Sequence, residues 1–432
     1  MKNLENTKHV NPKHERRRFV ISTLSAGLAM AISPLYAQSV INGNQAGGIK
    51  SEQGNTEPLL QDSGVSVTKL FLCGDVMTGR GIDQVLPHPG NPALYEGYMK
   101  SAAGYVTLAE EANGPIARPV GFSYIWGDAL AELKTRKPDL RVINLETAIT
   151  RSNDVQEKPV NYRMSPDNIP CLTAANIECC ALANNHVLDW GYPGLVETLD
   201  TLKKAGIKTT GAGADIQEAQ APAVMPVSGK GRVLVFSFGS ETSGIPRSWA
   251  AATGKPGVNL LPDFSPKTVR DIRHQIGALK RTGDVVVASI HWGGNWGYEV
   301  PREQQEFARW LIDDAAVDIV HGHSSHHAKG LEVYQGKLIL YGCGDFLNDY
   351  EGISGHEAYR GDLSLMYFPS VEPADGKLIK LDMVPLQMKR FRLNLASRKD
   401  ALWLAEVLNR EGRKFKTGVE LVADTLMLRW TG

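Results

Sequence analysis

Short apolar runs alternate with longer amphipathic segments along most of this chain, and polar residues follow each run directly. The run Leu70-Phe71-Leu72-Cys73 is continuously apolar, which is typical of a strand covered on both faces. Comparable runs predict strands at 67–73, 140–143, 177–182, 233–238, 284–290, 317–320 and 338–341. Polar side chains at the ends of such strands are expected at the carboxyl edge of a sheet, where open α/β proteins bind their ligands.

Amphipathic segments with helical boundary signals separate these strands. Pro193 in a first turn and Gly206 just after a last turn are typical of such boundaries. The predicted helices lie at 126–137, 166–176, 193–205, 266–281 and 303–315. Strands that alternate with helices predict a layered α/β architecture.

Two regions depart from this alternation. Residues 87–122 are dense in Gly, Pro and Tyr with weak periodicity, so they are interpreted as a long insertion at the mouth of a site. Beyond about residue 354 the pattern predicts a closing hairpin, 362–368 with 378–384, and a terminal helix at 400–410. We therefore expect residues 351–432 to complete the same domain as residues 67–350.

The first 66 residues are predicted to be a targeting segment and a tether. Arg16-Arg17-Arg18 precedes an apolar run that is too short to span a bilayer comfortably, so residues 1–37 are interpreted as a signal peptide. The arginine pair resembles a twin-arginine signal, and an ordinary secretory signal is the alternative. Residues 38–66, rich in Gly, Asn, Gln and Ser, are predicted to be a flexible linker. The mature protein is expected to be periplasmic or extracellular, without a stable transmembrane anchor.

Composition narrows the classes of function. The 432 residues are 42% hydrophobic, which is enough for a substantial core. Lys plus Arg and Asp plus Glu both number 47, so no net charge attracts nucleic acid and any anion recognition must be local. The five cysteines have no zinc-type spacing and are interpreted as buried apolar residues, although an exported protein could form one disulfide.

Metal-binding side chains are concentrated at the predicted strand ends. Four histidines fall within the seven residues from His321 to His327, directly after an apolar run, although a histidine-rich surface loop would look the same. The strand-end candidates are Asp75, Glu146, Asn185, His186, His291, His323 and His326. Carboxylate, amide and imidazole donors without thiolates suit one or two ions of Mn, Fe, Zn or Mg. Each residue alone also fits a helix cap, a solvated strand end or a core histidine, so the joint pattern carries the prediction.

Three further roles follow from neighbouring residues. Glu146 can bridge two divalent ions, and such a pair can activate water. His186 lies beside the metal candidate Asn185, so it is predicted to protonate a leaving group, with Asp189 holding its ring. Arg80 is the candidate contact for a substrate anion, although an arginine in this position is by default a surface charge.

The ordered motifs of the chain resemble one known family. They are Gly74-Asp75-Val76-Met77, Asn144-Leu145-Glu146, Asn184-Asn185-His186 through Asp189-Trp190-Gly191, His291-Trp292-Gly293, Gly322-His323 with His326, and Tyr341-Gly342-Cys343-Gly344-Asp345-Phe346. This set resembles the capsule-synthesis CapA (poly-γ-glutamate biosynthesis) family, which is similar to the calcineurin-like metallophosphoesterases. The resemblance implies a four-layer sandwich of two packed mixed sheets flanked by helices. It also implies that Asp75, Glu146 and Asn185 and the later histidines bind metal while His186 acts as the acid.

Departures from the phosphoesterase pattern leave two functions open. Met77 stands where those enzymes place a metal histidine, Ser324 and Ser325 separate His323 from His326, and Asp345 replaces an Asn of many relatives. The first hypothesis is an exported metal-dependent hydrolase of capsule or envelope-polymer biosynthesis, acting on a phosphoester or on the polymer beside the synthesis machinery. The second is a non-catalytic accessory protein that binds an anionic polymer. A solute-binding protein would need two similar lobes, which the sequence lacks.

Overall fold

The computed structural model describes residues 67–431, so the predicted signal peptide and linker lie outside the described residues. The strands are β1 Thr68–Val76, β2 Leu140–Leu145, β3 Ala148–Ile149, β4 Arg163–Met164, β5 Cys179–Ala181, β6 Lys208–Thr210, β7 Ala212–Gly213, β8 Ala223–Val227, β9 Gly231–Gly239, β10 Gly257–Val258, β11 Val285–His291, β12 Ile319–His323, β13 Leu331–Tyr334, β14 Lys337–Leu340, β15 Asp345–Leu347, β16 Leu363–Val371, β17 Leu378–Met388, β18 Leu393–Leu395, β19 Thr417–Val422 and β20 Thr425–Trp430. The helices are α1 Gly81–Val85, α2 Ala103–Asn113, α3 Ala129–Arg136, α4 Pro170–Thr173, α5 Gly191–Lys204, α6 Ile216–Gln220, α7 Pro266–Gly277, α8 Arg302–Asp313 and α9 Arg398–Gly412.

Two large mixed sheets form the centre of the fold. The first has ten strands in the order β19-β20-β17-β16-β1-β2-β5-β6, with β15 added beside β1 and β18 beside β17. The second has six strands in the order β13-β14-β12-β11-β9-β8. In the first sheet β1, β2, β5 and β6 run parallel, and in the second β9, β11, β12 and β14 do. These parallel blocks bring the carboxyl ends of their strands to common edges.

Apolar clusters on both faces of each sheet define four layers. Leu70 and Leu72 of β1 pack in one cluster with Val285 and Val287 of β11, so this cluster fills the space between the sheets. Helices α1 to α5 contribute to a second cluster on the other face of the first sheet. Helices α7 and α8 contribute to a third cluster on the other face of the second sheet. This architecture confirms the predicted α/β sandwich of two packed mixed sheets flanked by helices.

Several element boundaries differ from the sequence prediction. The segment 87–122 contains the helix α2, which was not predicted because its apolar residues do not form a clear amphipathic pattern. The predicted helix 166–176 is instead a 3₁₀ turn followed by the short α4, because Pro170 has no backbone N–H to continue a helix. The hairpin β19–β20 was not predicted and adds two strands at the edge of the first sheet. Within residues 67–431, no helix combines the length and the apolar character that crossing a bilayer would need.

Candidate metal centre

Strand register places the candidate side chains at one shared edge. In the second sheet His291 of β11 lies directly opposite His323 of β12. In the first sheet β1 continues past its predicted end to Val76, so Asp75 lies within the strand and opposite Asn144 of β2. The backbone N–H of Ser324 donates to Asp75 Oδ2 across 3.1 Å, and this hydrogen bond joins the edges of the two sheets.

Gly74 is required for Asp75 to reach this place. A Cβ atom at Gly74 would lie 1.6 Å from the carbonyl oxygen of Gly344, so any other residue would clash with backbone. The same close approach lets the N–H of Asp75 donate to that carbonyl across 3.0 Å. The Gly-Asp motif therefore serves the packing of β1 against the chain before β15.

Asp75, His291 and His323 form the group best placed to hold a cation. One ligand atom from each lies within 4.8 Å of the other two, and all three side chains are buried. His291 Nδ1 lies 2.8 Å from His323 Nδ1, and both ring nitrogens lie within 4 Å of Asp75 Oδ1. Burial lowers the pKa of both imidazoles well below the ordinary value, so each offers a neutral nitrogen lone pair.

Glu146 and Asn185 lie on the other side of the His291 ring. His291 Nε2 is 3.0 Å from Asn185 Oδ1 and 3.7 Å from Glu146 Oε1. The second carboxylate oxygen of Glu146, Oε2, is buried and has no hydrogen-bond partner among the described residues. A buried carboxylate oxygen without a partner is costly, and a divalent cation would satisfy it. The donor set and this oxygen therefore fit the metal that the motifs imply.

Electrostatics also favour a cation here. Burial raises the pKa of Glu146 well above its ordinary value, and the nearby carboxylates of Asp75 and Asp345 raise it further. Burial likewise raises the pKa of Asp75, with Asp345 adding to the shift. Asp75 and Glu146 would therefore each ionise more readily beside a positive ion.

His326 lies next to the three-residue group but outside it. Its Nδ1 is 2.8 Å from Asp345 Oδ1, and Asn348 donates to the other oxygen of that carboxylate across 3.0 Å. Burial alone would lower the pKa of His326, but Asp345 raises it above the ordinary value. Met77, at the position of the missing histidine, is buried and accepts a hydrogen bond from Tyr350 Oη to its sulfur at 3.5 Å.

His186 and Asp189 form a hydrogen-bonded pair beside Glu146. His186 Nδ1 lies 2.6 Å from Asp189 Oδ2, and His186 Nε2 lies 3.7 Å from Glu146 Oε1. Asp189 also accepts a hydrogen bond from the Tyr162 backbone N–H at 2.7 Å. Because both oxygens of Asp189 already accept from Lys158 and Tyr162, the carboxylate also acts as the acceptor toward His186. The ring proton therefore lies on Nδ1, and the Nε2 lone pair faces Glu146. Burial lowers the pKa of His186 to about 4.

Lys158 is a functional candidate that the sequence reasoning missed. Its ammonium group donates to Asp189 Oδ1 across 2.5 Å and to the backbone carbonyl of Asn185. It also lies 3.4 Å from His186 Nδ1. Lys158 therefore brings a positive charge to the His186–Asp189 pair. It lies in an irregular loop without periodicity, so no pattern in the sequence marks it.

Arg80 does not have the position predicted for a substrate contact. Its guanidinium is buried and donates to Glu96 Oε1 at 3.1 Å, to Tyr105 Oη at 2.9 Å and to both carboxylate oxygens of Asp349. The ring of Tyr162 lies 4.5 Å from its central carbon. These contacts make Arg80 the centre of a buried polar cluster in which all three guanidinium nitrogens donate to protein acceptors, so the predicted role as a substrate contact is corrected.

Comparison with known proteins gives the family. Residues 69–350 match the profile of the family described as bacterial capsule synthesis protein PGA_cap. A probable polyglutamine synthesis accessory protein of Mycobacterium tuberculosis is 50% identical over 363 residues, covering 84% of this chain and 95% of that protein. The chain belongs to the PGA_cap family. The PGA biosynthesis protein CapA of Bacillus subtilis is 26% identical over 280 residues, covering 64% of this chain and 62% of that protein.

Solved structures add a more distant likeness. A crystal structure described as a novel phosphatase from Mycoplasma pneumoniae superposes with a TM-score of 0.40 at 14% identity. The match covers 75% of this chain and 94% of that one.

Proposed function

We propose that this protein is an exported accessory factor of capsule or poly-γ-glutamate synthesis that acts as a divalent-metal-dependent hydrolase. Its substrate would be a phosphoester or the envelope polymer itself, handled beside the synthesis machinery. The observation that carries the proposal is that Glu146 Oε2 is buried with no hydrogen-bond partner within residues 67–431, next to histidines that offer free lone pairs. The names of the Mycobacterium and Bacillus relatives support the biological setting.

The metal would be held by residues from both sheets. The proposed ligands are Asp75, Glu146, Asn185, His291 and His323, with His326 beside them. Bound there, a divalent ion supplies Lewis acidity toward a phosphoryl or carbonyl oxygen. Burial of the cluster excludes bulk water and strengthens every charge interaction with the substrate.

His186 is the proposed group that moves a proton. Asp189 accepts its Nδ1–H and fixes the ring, so Nε2 is the atom that gains or loses a proton at the substrate. With a pKa near 4 the free ring is neutral at pH 7, so it would first accept a proton from the attacking water. A negatively charged substrate group near Nε2 would raise that pKa and let the ring return the proton to a leaving group. Lys158 keeps Asp189 in place through its own hydrogen bond.

A non-catalytic accessory protein is the second candidate function. Met77 favours it, because this position lacks the imidazole of the phosphoesterase pattern. In that case the same cluster would hold one structural ion, and the protein would bind an anionic polymer without turning it over.

Two variants separate these functions. The purified chain would be loaded with Mn, Fe, Zn or Mg and assayed against phosphomonoesters, phosphodiesters and poly-γ-glutamate. His186→Gln should keep its metal and lose turnover by roughly 10²–10⁴, the usual contribution of general acid–base catalysis. Glu146→Ala should lose both turnover and bound metal. His274→Gln, an exposed histidine in α7, is the matched control.

The hydrolase proposal fails if no metal form turns over any of these substrates, or if His186→Gln stays as active as the wild type. Polymer binding that persists in His186→Gln without any turnover would establish the accessory function instead.

A further inference from the structure

A chain of hydrogen bonds, called the relay below, runs from the backbone of β1 to His323 through the fully buried side chains of His321 and Ser289. His321 Nε2 lies 2.7 Å from the carbonyl oxygen of Cys73. Ser289 Oγ lies 3.1 Å from His321 Nδ1 and 2.9 Å from His323 Nε2. The register of β1 shifts between Leu72 and Asp75, which is where the Cys73 carbonyl turns to the other sheet.

The direction of each hydrogen bond follows from chemistry. A carbonyl oxygen only accepts, so the Nε2 of His321 must carry its proton. His321 is fully buried, and its ring nitrogens contact only the Cys73 carbonyl and the Ser289 hydroxyl among the described residues, so no carboxylate balances a charge on the ring. The ring is therefore neutral, and with the proton on Nε2 its Nδ1 only accepts. The hydroxyl of Ser289 must therefore donate to His321, and its oxygen accepts from His323 Nε2–H.

We infer that Ser289 and His321 are positioning residues that fix the tautomer of His323, so that its Nδ1 lone pair faces the candidate cation site. The proton on Nε2 leaves Nδ1 bare, 3.8 Å from Asp75 Oδ1 and 2.8 Å from His291 Nδ1. Partners of this kind orient a ligating imidazole and raise its basicity. The inference rests on the metal centre of the proposed function but not on any hydrolytic activity.

The chain offers a closely matched control for Ser289. Ser237 of β9 lies directly opposite Ser289 of β11 and is equally buried. Its hydroxyl contacts the Ala183 backbone N–H and neither histidine of the relay. Ser289→Ala and Ser237→Ala therefore remove the same atom from neighbouring strands of one sheet, and only the first removes a partner of His323.

His321 allows a second, chemically graded comparison. A glutamine at this position keeps one donor and one acceptor in its side-chain amide, as the neutral imidazole does, whereas leucine keeps neither. His321→Gln should therefore retain the relay, and His321→Leu should lose it.

Two readouts test the inference in the full chain. The first is the ring-nitrogen shifts of His323 in metal-free protein labelled with ¹⁵N-histidine, assigned by their loss in His323→Gln. The second is Mn²⁺ affinity by calorimetry. We expect the proton on Nε2 in the wild type and in Ser237→Ala. In Ser289→Ala and His321→Leu we expect a shift toward the Nδ1–H tautomer and roughly 10–100-fold weaker Mn²⁺ binding, the usual effect of losing such a partner.

A wild-type His323 with its proton on Nδ1 would overturn the inference. The inference would also be overturned if Ser289→Ala melted at a lower temperature but kept the wild-type tautomer of His323 and the wild-type Mn²⁺ affinity. Ser289 would then contribute only to the stability of the fold. If the wild type binds no Mn²⁺, the proposed metal centre fails, and the tautomer of His323 still decides for or against the relay.

Discussion

Replacing Arg80 by methionine should destabilise the folded protein strongly, because it removes the positive charge from a buried cluster and leaves the carboxylates of Glu96 and Asp349 without it. Arg80 is paired with Asp349 and Glu96, and all three side chains are at most 1% exposed. Removing one partner of a buried pair typically costs about 3–5 kcal/mol, since the remaining charges stay desolvated and uncompensated. For a folded unit of this size, that loss corresponds to a fall of roughly 4–6 °C in melting temperature.

Thermal and urea denaturation of the metal-loaded protein would measure the effect. Arg151→Met is the control, because Arg151 is 56% exposed and pairs with Asp167 and Glu197 at the surface, where such pairs contribute at most about 1 kcal/mol. Burial raises the pKa of Glu96, so the Arg80→Met penalty should shrink as the pH falls and this carboxylate is neutralised. If Arg80→Met is as stable as Arg151→Met, the assignment of Arg80 to the core is wrong.

Three other results are expected. Burial lowers the pKa of His327 to about 4, and its Nε2 accepts from the Gly297 N–H, so between about pH 6.5 and 4 only the unfolded chain gains a proton there. The free energy of unfolding should fall by up to about 3 kcal/mol over that window as the pH decreases. Urea titrations would contradict this if the free energy of unfolding of His327→Gln fell with pH as steeply as that of the wild type. Met77→His should raise the metal bound per chain in elemental analysis, and an unchanged content would show that this position does not face the ions. All five cysteines are buried and free, so a reducing agent should leave the melting temperature unchanged, and a fall would reveal a disulfide.

The strand ends could be predicted from the sequence because a strand that is buried on both faces has a continuously apolar sequence. Continuously apolar runs mark strands covered on both faces, and the residue after each run then lies at the sheet edge. Asp75 and His291 were found in this way, and the structure brings them together with Glu146 and His323. Their roles as ligands remain predictions.

Contacts between distant parts of the chain could not be predicted in the same way. Arg80 and Asp349 are separated by 269 residues, and His321 and Cys73 by 248, so no local pattern links them. Arg80 was predicted to contact a substrate anion, with a surface charge as the alternative, because arginine is rarely fully buried unless it is paired. Lys158 was missed because its loop has neither periodicity nor a neighbouring motif.

The most direct test of the metal centre is Mn²⁺ binding to the purified full chain, measured by calorimetry and by elemental analysis after dialysis. The wild type and His274→Gln should bind one or two ions per chain with the same affinity, whereas His323→Gln and Glu146→Ala should bind far more weakly. No saturable binding by the wild type, or equal binding by all four proteins, would contradict the account.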